Sequence, residues 1–184
     1  MLFRSIDSCA LMLEQCNSKI SAHTALELIC TDFTCFELPQ KADVIYMPFR
    51  TIGHILTRDD LAAFFANVSE NLKPRGLFIF DHYMFDKEWA ARHNNIDIPM
   101  YRDADTEIVD RYEYDFTGCI MHCTVKINNE TAVCFDFRWL EVNEINELYT
   151  EYGFSCVDMF GDFDKTRWTP ESPNQIWVLR REVE

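Results

Sequence analysis

The sequence predicts an α/β domain: a mostly parallel sheet with helices on its faces, an antiparallel hairpin at its C-terminal end, and an antiparallel β lid between them. Three observations predict it. Up to residue 81, short apolar strands alternate with helices through brief connections, as parallel strands joined by crossover helices do. A helix over 59–71 stops at Leu72-Lys73-Pro74-Arg75-Gly76 and turns directly into the apolar run Leu77-Phe78-Ile79-Phe80-Asp81. Between 107 and 139 the period changes to alternation of apolar and polar residues, with Asn128-Asn129 as a hairpin signal.

Each element has a local justification. Leu2-Phe3-Arg4-Ser5-Ile6-Asp7 reads as a short strand ending in an acid, and Asp7 or Ser8 can cap a helix over 9–21. A second strand follows over 25–31 and ends in Asp32, then a polar loop over 37–41 and a third strand over 44–47. Thr57 caps the helix over 59–71, whose first-turn acids Asp59 and Asp60 suit the helix dipole and whose inward stripe is Leu61, Phe64, Phe65 and Val68. The fourth strand is 77–81. Residues 82–105 read as irregular apart from a short helix over 87–92. Strands follow over 107–116, 120–127 and 131–139, then a helix over 142–152 closed by Gly153, and a final antiparallel pair over 154–160 and 175–179.

A chain of 184 residues fits one domain, 1–184, with 82–139 as a lid or substrate-binding insertion. Its 48% hydrophobic and 14% aromatic content excludes a disordered chain. The net charge of −14 argues against nucleic-acid phosphate as the ligand and leaves open a cationic or neutral small molecule, or a basic protein. No signal peptide precedes the first strand and no apolar run approaches membrane-spanning length, so no membrane partner is expected. The eight cysteines form no CxxC pair. Cys119, His122 and Cys123 come closest to a metal set, but strand alternation places Cys119, Met121 and Cys123 on one face and His122 on the other. Buried reduced thiols, no metal and a cytoplasmic location are the expectation.

In open parallel sheets ligands bind at the carboxyl ends of the strands, and three strands deliver an acid there: Asp7, Asp32 and Asp81. A carboxylate can accept from a ribose diol or from the exocyclic amine of adenine. Such acids also arise as ordinary helix caps.

Five segments, in order, resemble class I S-adenosylmethionine (SAM)-dependent methyltransferases that act on small molecules. Asp7-Ser8-Cys9-Ala10-Leu11-Met12-Leu13 is similar to the family's D-x-S-x-x-M-L, with Cys9 in place of Ser. Cys30-Thr31-Asp32-Phe33 resembles the end of the family's third strand, and Tyr46-Met47-Pro48-Phe49-Arg50-Thr51-Ile52-Gly53-His54 the loop after its fourth. Leu72-Lys73-Pro74-Arg75-Gly76 matches L-K-P-G-G with Arg at the first glycine. Tyr152-Gly153-Phe154 and Phe160-Gly161-Asp162-Phe163-Asp164 resemble elements of the final hairpin. The resemblance implies a Rossmann-like methyltransferase sheet with SAM as cofactor. It places the ribose on Asp7, with Met12 in the same segment, the adenine between Asp32 and Phe33, and the sulfonium near Met47, Pro48 and Phe49. His54 and His82, each just past a strand end, are the candidate general bases; a loop histidine bonding backbone is the alternative. Tyr83, Tyr101 and Arg138 are candidates to line the acceptor pocket. Arg50 either holds a carboxylate or makes a surface ion pair.

The family's first strand and its G-x-G-x-G turn have no counterpart. The five glycines, at 53, 76, 118, 153 and 161, include no two within five residues of each other. The chain is therefore expected to be N-terminally truncated relative to the family, beginning at its second strand. A slot would remain between the strand after Leu2 and that after Ala42, to be closed directly or covered by a second copy (a homo-oligomer) or a partner chain. A catalytically inactive methyltransferase-like subunit that oligomerises or regulates a partner is the rival function. A binder of another adenosine compound is the third.

Overall fold

The computed structural model describes residues 2–20 and 25–183. β1 (Phe3–Asp7) is followed by α1 (Ala10–Ser18), β2 (Leu26–Cys30), β3 (Ala42–Met47), a 3-10 turn (Thr51–His54), α2 (Arg58–Asn71) and β4 (Leu72–Tyr83). Then come α3 (Lys87–His93), β5 (Asp97–Arg102), β6 (Glu107–Asp115), β7 (Ile120–Ile127), β8 (Glu130–Arg138), α4 (Val142–Glu151), β9 (Phe154–Phe160) and β10 (Asn174–Arg181). The far end of the expected first helix, at Ser21, lies outside the described residues.

The strands form three sheets, ordered β1-β2, β3-β4-β10-β9 and β5-β6-β7-β8. The α/β architecture stands, but the expected mostly parallel sheet does not. Among the described residues only β1·β2 and β3·β4 pair in parallel, and every other pairing is antiparallel. The reason is the return of the chain: β10 runs back between β4 and β9, antiparallel to both, while β3, β4 and β9 share one direction, and the separate β5–β8 sheet is antiparallel throughout. β5 adds a fourth strand to the expected three of the antiparallel sheet. Paired with β6, it is anchored by Asp97, which accepts from Arg111 at 2.5 Å and from Lys126 at 3.2 Å.

The core lies between the central sheet and the helices α2 and α4. Leu61, Phe64, Phe65 and Val68 of α2 meet Phe78, Phe80, Trp177 and Leu179 of the sheet, with Ile145 and Leu148 of α4 completing the cluster. Phe65 stands edge-on to Phe64, Phe78, Phe80 and Phe154, with centroids 5.8–6.3 Å apart, the geometry aromatic quadrupoles favour. Thr57 caps α2 by accepting from the Asp60 amide at 3.1 Å while its hydroxyl donates to the Asp60 carboxylate at 2.6 Å. Buried Asn71 at the far end accepts from the Leu38 amide at 2.8 Å and donates to the Phe36 carbonyl at 3.2 Å, which fixes the loop before β3. The Lys-Pro-Arg-Gly segment lies inside β4 as a bulge: Ala42 pairs with Leu72 but Val44 with Leu77, and Arg75 takes φ 67°.

The other face of the central sheet is less well covered. Val44 and Tyr46 are 49% and 60% exposed, and Ile79, Ile176 and Val178 are half-buried. A cleft of about 230 Å³ opens there between Tyr46, Ile79, Phe160, Phe163 and Ile176. All eight cysteines are free, and five of them (Cys9, Cys30, Cys35, Cys134, Cys156) are exposed, so the expectation of buried thiols holds only for Cys123. No helix among the described residues is long and apolar enough to cross a membrane.

Candidate functional site

Parallel pairing of β1 with β2 sets Asp7 opposite Cys30, and the Thr31 amide donates to the Asp7 carbonyl at 3.2 Å. Asp7 and Asp32 therefore share one edge of this pair. Each carboxylate is half committed to its own turn. Asp7 Oδ1 accepts from the Cys9 amide at 2.8 Å, and Asp32 Oδ1 accepts from the Thr34 amide and hydroxyl at 2.8 and 2.7 Å. The Thr34 bonds hold the Asp32 carboxyl below the usual range. Among the described residues neither second oxygen takes a hydrogen bond. Met12 of α1 is 59% exposed. Phe33 packs edge-on against Phe64 at 6.0 Å, which ties the β2 end to the core.

At the end of β3, Met47 is 8% exposed and belongs to the core, whereas Phe49 is 92% exposed. Phe49 and Arg50 both sit in the left-handed region, at φ 62° and 60°. Asp81, 4% exposed, holds them there: its carboxylate accepts the Phe49 amide at 2.9 Å and the Arg50 amide at 3.1 Å. The acid expected at a strand tip facing a ligand instead anchors its own chain. The Arg50 guanidinium donates to Asn174 Oδ1 at 3.3 Å and lies 5.4 Å over the Tyr83 ring.

The two histidines separate. His82 is fully buried; Nδ1 accepts the Tyr83 amide at 2.9 Å, so Nε2 carries the proton and donates to the Arg138 carbonyl at 2.9 Å. Burial, the Arg138 carbonyl acting against it, and nearby Arg50 leave its pKa lowered to about 4. With both nitrogens committed, His82 is a strut between β4 and β8, and the expectation of a base there is corrected. His54 is exposed, its ring edge-on to Phe137 at 5.0 Å and near Phe135 at 6.0 Å. A Cβ on Gly53 would collide with the Phe137 ring, so only glycine lets the 3-10 turn approach β8 this closely.

Of the expected pocket side chains, that of Tyr83 stays at this junction, stacked 6.1 Å from Phe137, while Arg138 meets it only through its backbone carbonyl. Tyr101 donates its hydroxyl to Asp103 at 2.6 Å out on the antiparallel sheet, and Arg138 pairs with Glu144 at 2.8 Å. His122 pairs with Asp136 at 2.6 Å, and the described residues hold no cluster able to bind a metal. Beside the junction, Phe85 stacks on Trp139 at 3.9 Å, with Tyr114 and Phe116 alongside. Sequence reasoning left out Asn174, which meets Arg50 across 124 positions without a local signal.

No family model matches the sequence. A curated relative, the carboxy-S-adenosyl-L-methionine synthase of Shewanella halifaxensis (strain HAW-EB4), is 31% identical over 87 residues, which are 46% of this chain and 35% of that protein. Among solved structures, an S-adenosylmethionine-dependent methyltransferase from Clostridium acetobutylicum ATCC 824 superposes with a TM-score of 0.86 at 17% identity, over 100% of this chain and 76% of that one. The chain has the class I methyltransferase fold. A SAM-bound amino pentose methyltransferase from Micromonospora echinaspora, involved in calicheamicin biosynthesis, shares this methyltransferase fold with a TM-score of 0.68 at 13% identity, over 97% and 73% of the two chains. The curated match spans about a third of its relative's length.

Proposed function

We propose that this chain is a SAM-dependent methyltransferase acting on a small molecule held between the β3 and β4 ends and the antiparallel sheet, which serves as its lid. The observation that carries the reading is the shared edge of Asp7 and Asp32, each with a carboxylate oxygen to spare. Those two acids suit the ribose diol and adenine amine of SAM, with Phe33 and Met12 beside them and Pro48 and Phe49 toward the sulfonium. The five scattered glycines supply no cradle for its methionine end, so the fit covers the nucleoside half. When bound, SAM supplies an electrophilic methyl group to a nucleophile on the acceptor. The chain's own residues position that acceptor and exclude water, and His54 takes a proton where the acceptor arrives protonated. Support also comes from the solved neighbours described as SAM-dependent and SAM-bound.

Calorimetry with SAM and S-adenosylhomocysteine tests this. Micromolar binding that disappears in Asp7→Ala is the expected result; no heat with either compound at high concentration overturns it. The uncovered sheet face and the separation of β1-β2 from the central sheet favour a second reading, an inactive methyltransferase-like subunit, which the same null result would support. Under either reading a second copy or a partner chain covers Val44 and Tyr46, and Tyr46→Lys should lower the mass measured by light scattering. The eight free thiols support a reducing, cytoplasmic setting.

A further inference from the structure

Arg50 is held with more care than a surface arginine needs. Left-handed backbone is strained for a non-glycine residue, and two such residues in succession persist only where the surroundings enforce them. Here the enforcement is the buried Asp81 carboxylate on both amides, at 2.9 and 3.1 Å. The guanidinium is then oriented from two further sides, by the Asn174 oxygen at 3.3 Å and by the Tyr83 ring at 5.4 Å. Only one of its N–H groups is used in these contacts, of the five a guanidinium carries. No carboxylate among the described residues lies within ion-pair distance of it, although the chain has 31 acids against 17 lysines and arginines.

A second observation points the same way. The Tyr83 ring lies under the guanidinium, and its hydroxyl is buried with no hydrogen-bond partner among the described residues, an arrangement that ordinarily costs free energy. Burial first, then neighbouring Tyr114, raises its pKa well above the usual range, so it remains a protonated donor. An oriented cation with spare donors and an orphan hydroxyl donor call for the same kind of guest.

The geometry points to an anion subsite: Arg50 and Tyr83 bind a carboxylate or phosphate group on the acceptor. A guanidinium fork matches the paired oxygens of either group. The inference rests on the methyltransferase reading above and names the acceptor class for it. With a net charge of −14 the chain repels anions at a distance, so an anionic acceptor needs a fixed local cation such as this one. Gripping the charged end would also set the angle at which the nucleophile meets the methyl group.

The test is a titration followed by NMR, at constant ionic strength, with phenylacetate, phenyl phosphate and neutral phenylacetamide. The wild type should bind one or both anions at least tenfold more tightly than the amide. Arg50→Gln should remove that preference, and Tyr83→Phe should weaken anion binding about threefold, with thermal midpoints confirming that both variants fold. Which anion binds identifies the group. Equal binding of anion and amide, or equal anion binding by wild type and Arg50→Gln, overturns the inference. The SAM calorimetry is independent: Arg50-dependent anion binding without SAM binding sinks the methyltransferase reading and leaves the subsite, and the converse sinks the subsite alone.

Discussion

The β1-α1-β2 unit and the central sheet with α2 and α4 are built to different standards. The central unit is sealed by seventeen buried apolar residues, and α2 is capped at one end and stitched to a loop at the other. Among its described residues the β1-α1-β2 unit buries Leu13 of α1 alone, leaves Leu11 and Met12 at 69% and 59% exposure, and has no side-chain cap at the start of its helix. Yet the two carboxylates proposed to grip the nucleoside stand on this looser unit, while the acceptor side stands on the rigid one. Affinity for the nucleoside should therefore carry an ordering cost that acceptor positioning does not.

Four measurements test that contrast. The largest effect should come from Phe65→Ala, lowering the unfolding free energy in urea by about 4 kcal/mol, with Leu13→Ala costing less than half of that. Equal losses would abolish the distinction. Next is acid sensitivity of the central unit. His82 falls from its usual 6.5 to about 4, so the unfolded chain takes up a proton that the folded chain refuses. This contribution is complete above 6.5 and is lost as pH falls through that window, about 3 kcal/mol in all. Thermal midpoints of His82→Gln should vary less between pH 7 and about 4.5 than those of the wild type. Third, Asp81→Ala should cost on the order of 2 kcal/mol by removing the acceptor of two part-buried amide hydrogen bonds, and should scramble the Phe49–Arg50 turn in NMR spectra. Smallest is Lys73→Ala: its pair with Asp43 is 50% and 82% exposed, and breaking it should change stability by under about 1 kcal/mol.

Where a signal was local, the sequence carried it. Thr57 with Asp60, the Asn128-Asn129 turn at φ 51° and 67°, and Gly153 at φ 75° each bounded an element correctly. β5 escaped because Asp97-Ile98-Pro99-Met100 has no alternation and includes a proline. Its strand depends on Arg111 and Lys126, supplied from β6 and β7. Asp81 looked like a ligand for the same reason that Asp7 does, since a strand-end acid reveals its position but not whether its carboxylate turns inward. His82 misled likewise: its partner is the Arg138 carbonyl, 56 residues away. The parallel β3·β4 pair and the antiparallel β9·β10 pair were both legible, but the insertion of β10 beside β4 was not, because β10 reaches β4 only after the whole antiparallel sheet has been made.

The exposed sulfurs have a practical bearing on the assembly question. Five exposed cysteines on one small chain will cross-link molecules in aerated buffer. A dimer band seen without dithiothreitol would then record storage chemistry, so the Tyr46→Lys comparison has meaning only for samples kept reduced from lysis onward.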